Sequence, residues 1–152
     1  MNTRINKDGF IQINIVVKDI KKAAGKWADL LGIPVPKIHR NHLAGNEEYP
    51  YLYRGEPAVS DLLVCNIDMG SFMIELHQPD GGPDSFQEYL DRHGNGVHHI
   101  GFEVGSKRDD LISELEKEGY KNRTVGYYPG SSWTIVDTED DFGVNLNIKP
   151  VR

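Results

Sequence analysis

Residues 97–104 read VHHIGFEV, and they restate the pattern of residues 10–17, FIQINIVV. In the earlier stretch Ile11, Ile13, Ile15 and Val17 alternate with Gln12, Asn14 and Val16. In the later one His98, Ile100, Phe102 and Val104 alternate with His99, Gly101 and Glu103. Side chains along a strand point to opposite faces with period two, so each stretch is expected to be a strand with one apolar and one more polar face. A helical segment comes after each strand. Residues 20–31 place Ala23, Trp27, Leu30 and Leu31 at helical spacing, with Asp19 as the N-cap and Gly32 and Pro34 as the stop. Residues 108–118 turn Leu111, Ile112 and Leu115 to one side, and Gly119 caps them.

Farther out, residues 61–68 and 71–77 form a hairpin around Met69-Gly70, and residues 133–137 and 144–148 form a second strand pair. Strand, helix, link and two strands therefore occur twice. This predicts one α+β domain over residues 1–152, built from two βαβββ modules at about 9–79 and 97–150. Their curved mixed sheet would enclose a central polar cavity, with the helices on its outer face. Between the modules, PDGGP at 79–83 is a turn cluster, and 85–92 is a short helix with Phe86, Tyr89 and Leu90 on one side. Residues 35–60 are expected to open with a strand at 36–40 and to continue as a long excursion whose alternating Tyr49, Tyr51 and Tyr53 read either as a half-buried strand or as a ligand-facing stripe. Residues 120–132 are expected to be a link.

A chain of 152 residues with 38% hydrophobic and 26% charged residues is globular and long enough for a real core. Its net charge of -6 and scattered basic residues argue against nucleic acid as a partner. No apolar run approaches membrane-spanning length, and residues 1–9 are polar with no apolar signal core. The single cysteine, Cys65, lies among Leu63, Val64 and Ile67 and reads as a small buried hydrophobe. The expectation is a cytoplasmic protein that engages neither membrane nor nucleic acid.

The polar faces collect Gln12 and Asn14, then Glu75 and His77, then His99 and Glu103, and lastly Asn145 and Asn147. Polar groups turned inward on four strands need one another, water, a metal or a ligand. A small-molecule pocket is expected there. Trp133 and the tyrosines would supply its aromatic walls.

The runs IVVKDI, FMIELHQP, GVHHIGFEV and VDTEDDFGVNLNI resemble the vicinal-oxygen-chelate superfamily of glyoxalases, bleomycin-resistance proteins and dioxygenases. The nearest look is to glyoxalase-like and methylmalonyl-CoA-epimerase-like bacterial proteins. The resemblance covers nearly the whole chain and implies the same two-module fold. It implies one divalent metal (Mg, Mn, Co, Ni or Zn) held by four side chains, no organic cofactor, and a homodimer. The matching positions are Gln12, Glu75, His99 and Asn147. Epimerase-like relatives carry histidine where Gln12 stands and glutamate where Asn147 stands. Two neutral amides thus replace strong ligand types, and the closing glutamate that serves relatives as a base is missing.

Two functions are compatible with this set of residues. The first is an isomerase or lyase, epimerase-like, that stabilises an enolate of a small carbonyl or acyl-thioester substrate. Glu75, His77 and Glu103 are its candidate proton carriers. The second is a metal-free small-molecule binding protein of the bleomycin-resistance type. There Asn14, Asn145 and Trp133 would help line the ligand pocket.

Overall fold

The computed structural model describes residues 2–150, so Met1, Val151 and Arg152 of the expected 1–152 span lie outside the described residues. In chain order the elements are β1 (Phe10–Val16), α1 (Ile20–Leu31), β2 (Ile38–Leu43), β3 (Tyr51–Tyr53), β4 (Glu56–Pro57), β5 (Ser60–Asp68) and β6 (Met73–Pro79). Then come α2 (Ser85–His93), β7 (Gly96–Glu103), α3 (Arg108–Lys117), β8 (Asn122–Tyr128), β9 (Ser131–Val136), α4 (Glu139–Phe142) and β10 (Asn145–Lys149). All ten strands join one sheet in the order β2-β5-β6-β1-β7-β10-β9-β8-β3-β4. The first module supplies β2-β5-β6-β1 and the second supplies β7-β10-β9-β8, which is the same order in mirror image. β1 runs parallel to β6 as β7 runs parallel to β10, and β1 meets β7 antiparallel at the junction.

Alternation decides which face is covered. Ile15, Val17, Cys65, Ile67, Ile74 and Leu76 pack under α1, whose Ile20 and Ala24 are fully buried. Asp19 caps that helix through Lys22 N, and Gly32 closes it at φ 65, the left-handed conformation that glycine adopts without strain. Leu146, Ile148 and Val136 pack in the same way under Leu111 and Leu115 of α3. A third cluster lies on the concave side, where α2 inserts Phe86 against Val16, Leu62 and Val64.

Three departures from the sequence expectation shape the site. Residues 120–132 are not an irregular link, because they contain β8. Its alternation is hidden because Arg123, Thr124, Val125 and Gly126 are all buried, the strand being covered on both faces. In the excursion the strand reading of the tyrosines holds at Tyr51–Tyr53, but its partner is not foreseen: β3 pairs with the outer edge of β8, so a segment of module one extends the sheet of module two. Tyr51 is buried there. Its hydroxyl lies 3.3 Å from Ser60 Oγ on β5, so the curled sheet nearly closes on itself.

The third departure is at His98, which the alternation assigns to the face opposite His99. The β1–β7 ladder pairs Asn14 with His99 but Ile15 with Val97, which leaves His98 as a bulged extra residue. A bulge breaks the period, and both histidines are buried, at 0% and 1% exposure. The His98 ring packs on Phe86 of α2 with centroids 4.6 Å apart.

Candidate functional site

The two modules deliver equivalent positions to one place. Gln12 pairs with Gly101, and Asn14 pairs with both His99 and Glu75. Asn147 in turn pairs with Gly101. Gly101 has to be glycine here: a Cβ would come within 2.8 Å of Gln12 Oε1 and 2.9 Å of Gln12 Cβ. Its bareness lets the Gln12 side chain lie over β7, toward the second module. The result is a hollow of about 120 Å³ with Gln12, Glu75, His77, His99 and Asn147 on its polar side and Phe86 and Trp133 on its aromatic side. It adjoins a cleft of about 350 Å³ and shares Gln12, Glu75 and Lys149 with it.

Glu75 is the anion of the hollow. Its Oε1 accepts a hydrogen bond from Asn14 Nδ2 at 3.0 Å and lies 3.0 Å from His77 Nε2. Burial alone would raise its pKa. The charge and hydrogen bond of His77, the Lys149 ammonium and the Asn14 amide outweigh burial, and the carboxyl sits below its ordinary range. The group is therefore ionised at neutral pH.

The histidines behave in the opposite sense. Burial, followed by the charges of His77 and Arg123, pushes His98 down to about 3. Burial also holds His99 well below the usual imidazole range, helped by His98, His77 and Lys149. Both are neutral, and their Nδ1 atoms share one hydrogen bond at 2.8 Å. One Nδ1 must carry a proton and the other a lone pair, so the two rings hold different roles. Asn147 Nδ2 lies 3.4 Å from Gln12 Oε1 and 3.5 Å from His99 Nε2, which links the two modules across the floor.

Gln12, Glu75, His77, His99 and Asn147 thus stand where the alternation places them, in one hollow, and Trp133 forms part of its wall. Asn14 and Asn145 do not line it. Both are wholly buried beneath it: Asn14 holds Glu75, and Asn145 Nδ2 donates to the His98 carbonyl at 3.0 Å. Glu103 is not in the hollow either. The curvature of β7 carries it to a separate surface depression beside Arg4, Asp8 and Lys107. Asn41, Leu43, Leu62, Phe86 and Lys149 also line the hollow, and the sequence does not announce them. Phe86 arrives on a helix from outside both repeats. Lys149 simply continues the alternation of Asn145 and Asn147 toward the chain end.

The chemistry of this donor set does not suit a divalent ion. Among Gln12, Glu75, His99 and Asn147 only Glu75 is anionic, and its Oε1 is taken by Asn14 and His77. Asn147 turns an amide nitrogen, a donor, toward Gln12 and His99. Lys149 lines the same hollow, and its charge, which reaches Glu75 and His99, would repel a second cation. Among the described residues no three His, Cys, Asp or Glu side chains are grouped so as to hold a metal ion.

Known proteins share this architecture. Methylmalonyl-CoA epimerase from Mycobacterium tuberculosis superposes with a TM-score of 0.54 at 18% identity, covering 100% of this chain and 92% of that one. A Streptomyces coelicolor methylmalonyl-CoA epimerase variant in complex with 2-nitronate-propionyl-CoA gives 0.56 at 19%, covering 95% and 96%. A hypothetical protein from Bacillus halodurans C-125 gives 0.55 at 20%, covering 92% and 91%. At such identities the likeness establishes the fold alone. No curated protein matches the chain. The sequence profile of the Glyoxalase/Bleomycin resistance protein/Dioxygenase superfamily matches residues 11–136, which takes in both modules up to the end of β9. With the duplicated sheet and the shared hollow at its centre, this places the chain in the Glyoxalase/Bleomycin resistance protein/Dioxygenase superfamily.

Proposed function

We propose that the protein is an epimerase-like enzyme that removes and returns a proton at the carbon beside a carbonyl or thioester group of a small substrate. One observation carries this reading. An ionised carboxylate, Glu75, is gripped through Oε1 by Asn14 and His77 and lines the hollow. Held this way, the carboxylate keeps its orientation as the proton moves, and His77 is placed to share that proton. Gln12, whose Oε1 is turned to Asn147, offers its amide hydrogens to a substrate oxygen. Phe86 and Trp133 keep bulk water from the reacting carbon. The solved epimerases that share the fold support this reaction class. A binding role without turnover is the second reading, favoured by the wall of Phe86, Trp133, Leu43 and Leu62 along the hollow.

Proton NMR in deuterated water separates the two. A panel of 2-substituted acyl thioesters and α-hydroxyketones is incubated with the protein after dialysis against a chelator. Loss of the α-proton signal of at least one compound is expected. Glu75→Gln should slow that loss by about 100-fold or more. Wild-type protein that binds compounds without exchanging them would support the binding role. Exchange undiminished in Glu75→Gln would overturn the assignment of the base.

A further inference from the structure

Taking a proton from a carbon beside a carbonyl builds negative charge on the carbonyl oxygen, and that charge must be met where it forms. Glu75, held below its ordinary pKa, is a weak base, so the need is sharper here. The donor set does not suit a divalent ion, yet the hollow is not without positive charge. Among the described residues that line the hollow or the adjoining cleft, Lys149 is the one lysine or arginine.

Its position comes from the duplication. β10 runs beside β7 as β6 runs beside β1, and Asn147 answers Glu75. Lys149, two residues beyond Asn147, therefore answers His77, two beyond Glu75. Because β1 and β7 are antiparallel, the two lie toward opposite ends of the hollow. Lys149 stands at the end shared with the cleft, beside Gln12 and Glu75. Its charge reaches both Glu75 and His99, lowering the pKa of each. The acids of the two cavities are engaged elsewhere: Glu75 with Asn14 and His77, and Asp68 with the Gly70 amide at 2.8 Å.

We propose that the Lys149 ammonium is the fixed cation of the site, against which the substrate's carbonyl oxygen sits and the enolate oxygen develops. This rests on the proton-transfer reading and names the electrophile that it requires. The step balances within the protein. Glu75 Oε2 takes the α-proton, the C–H electron pair becomes the C=C bond, and the C=O π pair moves to oxygen. Lys149 pairs with that oxyanion and keeps its own protons. Reversal returns the proton and restores the carbonyl. The substrate class is a small enolisable carbonyl compound held by its oxygen, with no divalent ion in the step.

Oxalate, a planar bis-oxyanion shaped like an ene-diolate, is the probe, titrated calorimetrically into wild type, Lys149→Met and Lys149→Arg. Wild type and Lys149→Arg should bind it, and Lys149→Met should bind at least about tenfold more weakly. In the exchange assay Lys149→Met should lower kcat by about 100-fold with little change in KM, and Lys149→Arg should recover most of the rate. The arginine variant guards against loss of fold as the cause. Equal oxalate affinity in wild type and Lys149→Met, or exchange at the wild-type rate in Lys149→Met, would overturn the proposal. Exchange that persists without Lys149 removes this inference and leaves the proton-transfer reading standing. Oxalate binding that depends on Lys149 while no compound exchanges removes the reading and leaves the oxyanion seat.

Discussion

His98 and His99 show how one inserted residue changes the chemistry of a strand. The bulge turns both imidazoles inward, and burial keeps both neutral. The unfolded chain protonates each near pH 6.5, its ordinary value, whereas the folded chain resists to about 3 for His98. Below the unfolded pKa the unfolded state binds more protons, so stability is full above that pH and falls as the pH drops. Urea unfolding from about pH 7.5 down to about pH 5 should show a loss approaching about 1.4 kcal/mol per pH unit for each histidine. A flat profile over that range would show that the histidines are not buried and neutral. At this scale the sequence was legible where alternation held. Gln12, Glu75, His77, His99 and Asn147 all reach the hollow, whereas His98 defies alternation through a register slip that no composition signals. Lys149 obeys it too, although a lysine is not a metal-ligand type.

Among the elements, β8 and the excursion strand β3 back Trp133 of β9, one of the two aromatic residues of the hollow. Gly126 on β8 pairs with Tyr51 on one side and Trp133 on the other. The Trp133 indole lies directly over Gly126, where any Cβ would overlap the ring. Gly126→Ala must therefore push Trp133 off its seat beside Tyr51. The expected cost is about 1–3 kcal/mol, as for other overpacked sites, with a change in tryptophan fluorescence. Unchanged stability and emission would contradict this packing. The polar residues of β8 explain why the strand is hard to recognise from sequence. Thr124 Oγ1 donates to Ser85 Oγ at 2.8 Å, and Arg123 reaches Asp137 at 3.2 Å and Glu139 at 3.4 Å. Each side chain reads as a solvated loop residue until its partner, distant in sequence, is known. The same network holds α2 in place: Glu88 accepts from Tyr53 and Arg54, each at 2.6 Å.

For the whole molecule, the duplication is what the sequence declares most clearly, because two strand–helix repeats share one alternation. It fixes the central junction β1–β7 and places one helix over each outer face. It does not announce how far the sheet curls, since β3, with β4 paired to it, comes from the link of module one and docks on the opposite module. That closure, together with Phe86 from α2, turns an open polar face into a hollow with a dry side and a charged side. Glu75–His77 comes from one module and Asn147–Lys149 from the other, so the same place in the repeat holds the His77 imidazole at one end and Lys149 at the other.

The most direct measurement is a crystal structure of the protein with an exchanging compound bound. Its α-carbon is expected about 3–3.5 Å from Glu75 Oε2, as a reacting pair requires, with the carbonyl oxygen facing Lys149. A compound seated in another depression, or with its α-carbon turned away from Glu75, would contradict the proposed chemistry.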